Sequence, residues 1–316
     1  MDKSETPWEY AYRTQSPVEM KTKAYIYIIT AGILWGTSGL FVAALSPYGF
    51  SSLQMTAMRG VVSAVCMALY CLFLDKNLFR AKPSEFIMFA LSGLAMFGTA
   101  SFYYISMRAS SVSTAVVLMY TAPIIVMVYS VIFLGEKLTK MKLCAVFFML
   151  LGCALVSGII GGFRFDGWGI AAGFAAGISY ASYNILTKIQ MRKGARPQSA
   201  SLYCFIFMAI LSAIFGDPAG IVSLTTPSPL PIIPLIIGIG VVTTVLPYLL
   251  YTFALRELDA GTASTLGIVE PMSATVFSIT LLSEKPGVFS IVGIVLIIGA
   301  VFILGKSENS KSEEKK

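Results

Sequence analysis

Two ionisable side chains sit at depths where a membrane helix tolerates few. Arg59 falls about two turns into an apolar stretch at 52–74, and Glu270 lies midway along another at 261–282. A charge at the centre of a spanning helix costs at least ~2.5 kcal/mol, so one that survives there is a functional candidate. Glu270 precedes Pro271, which has no amide hydrogen and leaves the carbonyl of residue 267 without its helical partner. A carboxylate beside such a break can hold a cationic or amino group. It can also load and release a proton, because desolvation opposes its charged form. The plainer alternative is a buried acid that bonds a neighbouring helix and fixes packing. Arg59 is shallower and can snorkel to the headgroups in a structural or gating role, or meet a substrate. A direct pair with Glu270 would neutralise both charges.

Aromatic and amide side chains crowd the same depth. Trp35 lies in the run LWGTSG, Tyr103 and Tyr104 in the third apolar stretch, and Tyr120 shortly before Pro123 in the fourth. Tyr180, Tyr183 and Asn184 lie in the sixth, and Tyr251 in the eighth. Tyr27, Tyr48 and Tyr70 read as interfacial belt residues. Trp35, Tyr103, Tyr120, Tyr180 and Tyr251 are deeper, and their rings can either line a cavity and stack on an organic solute or fill the core. Pro123 and Pro271 occupy matching places, and Pro247 adds a third helix break. Kinks at matched positions of two halves point to a midplane site. The expected substrate contacts are therefore Trp35, Tyr103, Tyr120, Tyr180, Asn184, Tyr251 and Glu270, with Glu270 and Arg59 the candidates for coupling or gating.

The elements that must hold these residues are membrane helices. The chain is 56% hydrophobic and 12% charged, with a mean hydropathy of +0.79, too little polar surface for a water-soluble domain of this length. Ten apolar stretches are each near the ~20 residues that cross the hydrocarbon core. They fall at 24–43, 52–74, 84–106, 111–134, 141–160, 168–187, 199–216, 231–254, 261–282 and 287–304. No period-two alternation supports a membrane β-barrel. Small-residue runs such as Gly32 to Gly36, and Gly169, Gly173 and Gly177, read as close helix contacts.

The ten stretches divide in two. Residues 104–157 align without a gap onto 252–305, with about ten identities. Arg108 falls on Arg256, Thr114 on Thr262, Pro123 on Pro271 and Glu136-Lys137 on Glu284-Lys285. Five helices per unit is an odd number, so the second unit enters the membrane from the opposite side. The basic residues agree. With a cytoplasmic N-terminus, the inner segments hold Lys21, Lys23, Lys76, Arg80, Lys82, Lys137, Lys140, Lys142, Lys188, Arg192, Lys193, Arg196 and Arg256, besides those of the two ends; the outer ones hold Arg108, Arg164 and Lys285. The positive-inside rule then makes both termini cytoplasmic. Residues 1–23 and 305–316 read as polar cytoplasmic tails, and the proline-rich 216–231 as an irregular outer connection.

Composition also excludes. The net charge of +7 is used in orientation beside anionic headgroups and calls for no nucleic acid. All five cysteines fall in apolar helices, and the chain has no histidine, so neither a disulfide framework nor a metal site is expected. No cofactor is implied. There is no Walker loop for ATP, and no GxSxG or HExxH for an intramembrane enzyme. Active transport would have to run on a gradient.

The run LWGTSG around Trp35, Arg59, the segment TAPIIVMVYSVIFLGEK from Thr121 to Lys137 and its second copy EPMSATVFSITLLSEK from Glu270 to Lys285 resemble the drug/metabolite transporter superfamily, specifically the EamA-like transporters. The resemblance spans about 24–304 and departs at Ser283 and Pro286, where the first copy has Gly135 and Leu138. It implies ten transmembrane helices as two inverted five-helix repeats, 24–160 and 168–304, rocking around a central cavity in the plasma membrane, the inner membrane of a bacterium. It implies a monomer or weak homodimer that exports small metabolites, such as amino acids or toxic amphipathic compounds, with or without protons. An uptake carrier or uniporter of the same fold is the alternative, and a channel or sensor is the competing class.

Overall fold

The computed structural model describes residues 17–162, 166–281, 283, 285 and 287–313. Arg164, Glu284 and Pro286, used in the topology and repeat arguments, lie outside the described residues, as do Lys3 and Arg13 of the N-terminal end. Every regular element among the described residues is helical.

The first half opens with α1 (Pro17–Gly36) and α2 (Ser38–Leu45), broken at Thr37, whose hydroxyl donates back to the carbonyl of Leu34 at 2.7 Å. The first helix thus reaches further into the polar end than expected, opening on a proline that sacrifices no helical bond there. α3 (Ser52–Leu74) starts on a capping box: the Ser51 hydroxyl accepts the Gln54 amide at 3.2 Å, and Gln54 Oε1 accepts the Ser51 amide at 2.8 Å. α4 (Pro83–Ala109) is unbroken. The fourth stretch is two helices, α5 (Val112–Met119) and α6 (Ala122–Phe133), because Pro123 in the first turn of α6 cannot bond back into α5. α7 (Lys140–Val156) and the short α8 (Ile159–Gly162) complete this half.

The second half begins with α9 (Gly167–Arg192), capped by Asp166, whose carboxylate accepts the Gly169 amide at 2.7 Å. α10 (Pro197–Phe215) follows. The proline-rich connection is not irregular throughout: it contains α11 (Pro218–Thr225), with Asp217 as its N-cap and Pro218 at its first position. The eighth stretch comprises α12 (Pro229–Gly240), a π turn at Val241–Val245 and α13 (Leu246–Glu257). The ninth is again split, into α14 (Ala260–Leu266) and α15 (Val269–Leu281). α16 (Val288–Glu313) continues as helix into the polar end read as a tail.

Among the described residues, seven stretches are long and apolar enough to cross a membrane: Glu19–Tyr48, Ser52–Leu74, Pro83–Ala109, Val112–Phe133, Pro197–Phe215, Pro229–Glu257 and Val288–Gly305. α7, α9 and the α14–α15 pair, the other stretches read as spans, are helical but fall outside that class. α7 has 17 residues, α14–α15 is interrupted, and α9 carries Asn184, Thr187 and Lys188. These polar side chains are buried against other helices, where a helix needs no lipid-compatible surface. The lipid-facing side is unmistakable elsewhere: Phe73, Phe133, Ile214 and Phe302 are exposed on the outer flanks, which only an apolar solvent would accommodate.

Glycines set how the halves meet. A Cβ on Gly36 of α1 would lie 2.7 Å from Ser273 Cβ and 2.8 Å from the Ala274 amide nitrogen of α15. A Cβ on Gly177 of α9 would lie 2.9 Å from both the carbonyl oxygen of Leu118 and the hydroxyl of Thr121. Each half therefore leans its first long helix, through glycine, on the broken helix of the other half.

Candidate functional site

A cavity of about 370 Å³ lies between the halves, within the range of small-molecule sites. Its wall takes Arg59 from α3, Tyr103 from α4, Tyr120 from the α5–α6 junction, Tyr180 from α9, Tyr248 from α13 and Glu270 from α15. Trp35 and Pro271 also face it.

The two helix breaks build the centre. Pro271 cannot supply the amide that Gly267 would normally bond, and that carbonyl is taken instead by the amide of Glu270 at 3.0 Å. The turn tightens, and the carboxylate is presented at the start of α15. In the other break the Thr121 amide reaches the Leu118 carbonyl at 3.2 Å and its hydroxyl reaches the same oxygen at 2.7 Å. Tyr120, at this corner, donates its hydroxyl to Glu270 Oε2 at 2.7 Å. This hydrogen bond joins the first break to the second.

Arg59 is oriented from behind. Its Nε donates to the Thr244 hydroxyl at 3.1 Å. Thr244 belongs to the π turn that precedes Pro247, and both Thr243 and Thr244 donate to the Ile239 carbonyl, at 2.6 and 3.3 Å. π turns recur at functional sites because they redirect side chains without ending a helix. Arg59 and Glu270 line one cavity, yet each is bonded to neutral hydroxyls, with no ion pair between them within 4 Å among the described residues. A guanidinium and a carboxyl group therefore face the same space without pairing.

The remaining expected contacts lie behind this wall. Tyr251 is fully buried and packs its ring 5.5 Å from that of Trp35, while Tyr248 meets Trp35 edge-on at 4.9 Å. Asn184 is buried against α14, its amide donating to the Ser264 hydroxyl at 3.4 Å. Pro123 and Pro247 shape the breaks and do not face the cavity. Sequence reasoning passed over Tyr248, Thr243 and Thr244. Tyr248 directly follows Pro247, so asking which ring flanks each break would have found it.

The cavity continues into a second one of about 220 Å³, which shares Val156, Ala274 and Thr275 and runs along α15 to Ser278, Lys285 and Ser290. Among the described lining residues none comes from α14 or from the α13–α14 corner. The site is therefore deep on one face and approached from the other.

The family model of the EamA-like transporter family matches residues 22–158 and 167–306. The chain is 25% identical over 298 residues to "Uncharacterized transporter YwfM" of Bacillus subtilis (strain 168), covering 93% of this chain and 98% of that one. An uncharacterized transporter of Clostridium kluyveri is 26% identical over 311 residues, covering 93% of this chain and 96% of the relative. One of Archaeoglobus fulgidus is 26% identical over 279 residues, covering 87% of this chain and 94% of its own. A solved structure described only as the crystal structure of a protein superposes with a TM-score of 0.74 at 18% identity, over 89% of this chain and 96% of that one, a likeness of fold.

Proposed function

The chain belongs to the EamA-like transporter family, and we propose that it is a secondary transporter exporting small amphipathic metabolites, amino acids among them, by alternating access around the central cavity. In this reading ten segments cross the plasma membrane: the seven long apolar stretches together with α7, α9 and the α14–α15 pair. They form two inverted five-helix repeats, 24–160 and 168–304, with both termini cytoplasmic.

The observation that carries the reading is the Tyr120–Glu270 hydrogen bond, 2.7 Å across two helix breaks that belong to different halves. A solute amine that takes the carboxylate must compete with Tyr120, so occupancy is felt in both halves at once. Arg59, held by Thr244, supplies the opposite charge for a carboxylate or similar anionic group, and Trp35, Tyr103, Tyr180 and Tyr248 supply apolar and π surface between the poles. Glu270 is also the group best placed to carry a coupling proton, since it sits in the cavity of a chain without histidine.

A thermal-shift screen of zwitterionic and cationic metabolites on purified protein tests the site, because a ligand at a hundred times its dissociation constant adds ~2.7 kcal/mol of stability. The same compound should then exchange across proteoliposomes with saturation. A flux that rises linearly with concentration would mark a channel and overturn the carrier reading. Orientation is tested in a cysteine-depleted background, where Ser46→Cys and Ser228→Cys should react with an impermeant thiol reagent from outside cells and Asn77→Cys should not.

A further inference from the structure

The site described above leaves unused a buried cluster of charge at the corner between α13 and α14. Gly135, with φ +66°, ends α6 in a left-handed turn that sends the Glu136 amide back to the Ser130 carbonyl at 3.0 Å. The Glu136 side chain then crosses to the other half. Its Oε1 accepts the Ala260 amide at 2.8 Å and its Oε2 the Gly261 amide at 3.4 Å, at the start of α14. Asp259 stands at the N-cap of that helix but does not cap it. Its carboxylate is turned to Lys142 of α7, with Nζ to Oδ2 at 2.6 Å. Lys188 of α9 donates to the carbonyls of Leu255 and Leu258, at 2.8 and 2.6 Å, closing the end of α13. Arg192 of α9 donates to the Leu134 carbonyl at 2.7 Å and lies 3.9 Å from Glu136. Glu136, Lys142 and Lys188 are all buried.

Helix packing alone does not call for this arrangement. Burial and the nearby Asp259 push the Glu136 carboxyl above the usual carboxylate range, outweighing its two amide donors and Lys142, which pull the other way. Buried charges are poor stabilisers, but separating one from its partners is costly, which suits them to holding one arrangement against another. The repeat supplies a contrast. Leu258–Asp259 map onto Ser110–Ser111, where the side chains engaged are hydroxyls: Ser106 donates to the Gly169 carbonyl and Ser110 to the Ser106 carbonyl, each at 2.7 Å, and Ser111 accepts the Thr114 amide at 3.1 Å. The cavity is lined from the side of this second corner, by Val112 and Ser157, and not from the charged one.

We propose that Glu136, Lys142, Lys188 and Asp259 form the latch of the closed face, gripping the α13–α14 corner from the ends of α6, α7 and α9. The cavity opens on that face only when the grip is released. This rests on the alternating-access reading, but its test uses no substrate, so a transport failure and a latch failure show separately.

The test compares two single-cysteine reporters in full-length protein in lipid nanodiscs, with the native cysteines replaced and a water-soluble maleimide as probe. Ser264→Cys reports the closed face, one turn beyond the latch and fully buried. Ser38→Cys reports the cavity side. In Lys142→Met and in Glu136→Gln, the Ser264→Cys modification rate should rise about tenfold or more while the Ser38→Cys rate falls severalfold, since opening one face closes the other. Exchanging the charges in Lys142→Asp/Asp259→Lys should return Ser264→Cys toward its slow rate. Slow Ser264→Cys in both single variants would overturn the proposal. So would acceleration of both reporters together, the signature of a loosened protein. Should Lys142→Met prove too unstable to purify, Glu136→Gln and the charge exchange make the same comparison.

Discussion

The two helix breaks share a scaffold and divide the chemistry. Each places a proline in the first turn of its second segment, Pro123 in α6 and Pro271 in α15, and each receives a glycine-faced helix from the opposite half. At the residue before the proline the first break has Ala122 and the second Glu270; three residues before it the first has Tyr120 and the second Ile268. The acceptor is supplied by one copy and its donor by the other. Duplication provides two similar hinges, and these two positions, among the many at which the copies differ, put unlike groups at the two breaks.

The sharpest way to break the comparison is to remove the unlike group. Glu270→Gln keeps size and hydrogen bonding but cannot take up or release a proton, so pH-gradient-driven flux into vesicles should vanish while exchange at equal concentrations persists. Gradient-driven flux matching wild type would end the proton role, and wild-type flux without pH dependence would leave Glu270 as an amine contact in a uniporter.

Tyr120→Phe separates the two breaks without touching the carboxylate. A hydrogen bond is worth ~0.5–1.5 kcal/mol or more, so with this competitor for the carboxyl gone the half-saturating concentration of an amine should fall by about two- to tenfold, while exchange slows because the halves have lost their link. An unchanged rate would mean that the breaks move independently.

The shared scaffold is tested with Gly36→Ala and Gly177→Ala, whose new methyls would meet backbone atoms within 3 Å. Each should cost ~1–3 kcal/mol of stability through forced displacement, read as a fall in melting temperature. Gly39→Ala, with nothing within 4 Å of its Cβ position, should show no fall. A marked difference between Gly36→Ala and Gly177→Ala would show that the two hinges are not equivalently supported.

The smallest effect is expected at the π turn. Thr244→Val removes the acceptor that orients Arg59, and the half-saturating concentration of an anionic or zwitterionic substrate should rise about two- to tenfold, with Thr244→Ser close to wild type. An equal loss in both would assign Thr244 to packing.

Much of this was legible in the sequence because membrane helices announce themselves. Ser52–Leu74 coincides with the apolar stretch read there, and the prolines at 123, 247 and 271 mark the places where helices are broken or wound differently. What hydropathy does not carry is rotation. Tyr251 has the expected depth yet turns its ring behind Trp35, and Asn184 turns to Ser264, because neighbours across the bundle decide which face of a helix meets the cavity. Burial of charge is a second thing that hydropathy does not carry. Lys142 and Lys188 read as charges of inner segments, and in the structure they and Glu136 are also buried against a corner more than sixty residues further along the chain. α7 and α9 sit at the edge of the hydropathy signal for the same reason, since their partners are protein.

The glycine seam between α1 and α15 has a consequence for how the protein is made. Gly32 and Gly36 meet residues 269–274, so α1 is fitted to a helix made long after it. At ~5–20 residues per second, some 237 residues of synthesis separate Gly32 from Val269, a wait of roughly 10 to 50 s. Throughout that interval the glycine face of α1 is without the helix it will pack against. The seam between the two halves therefore closes late, only once α15 has been made.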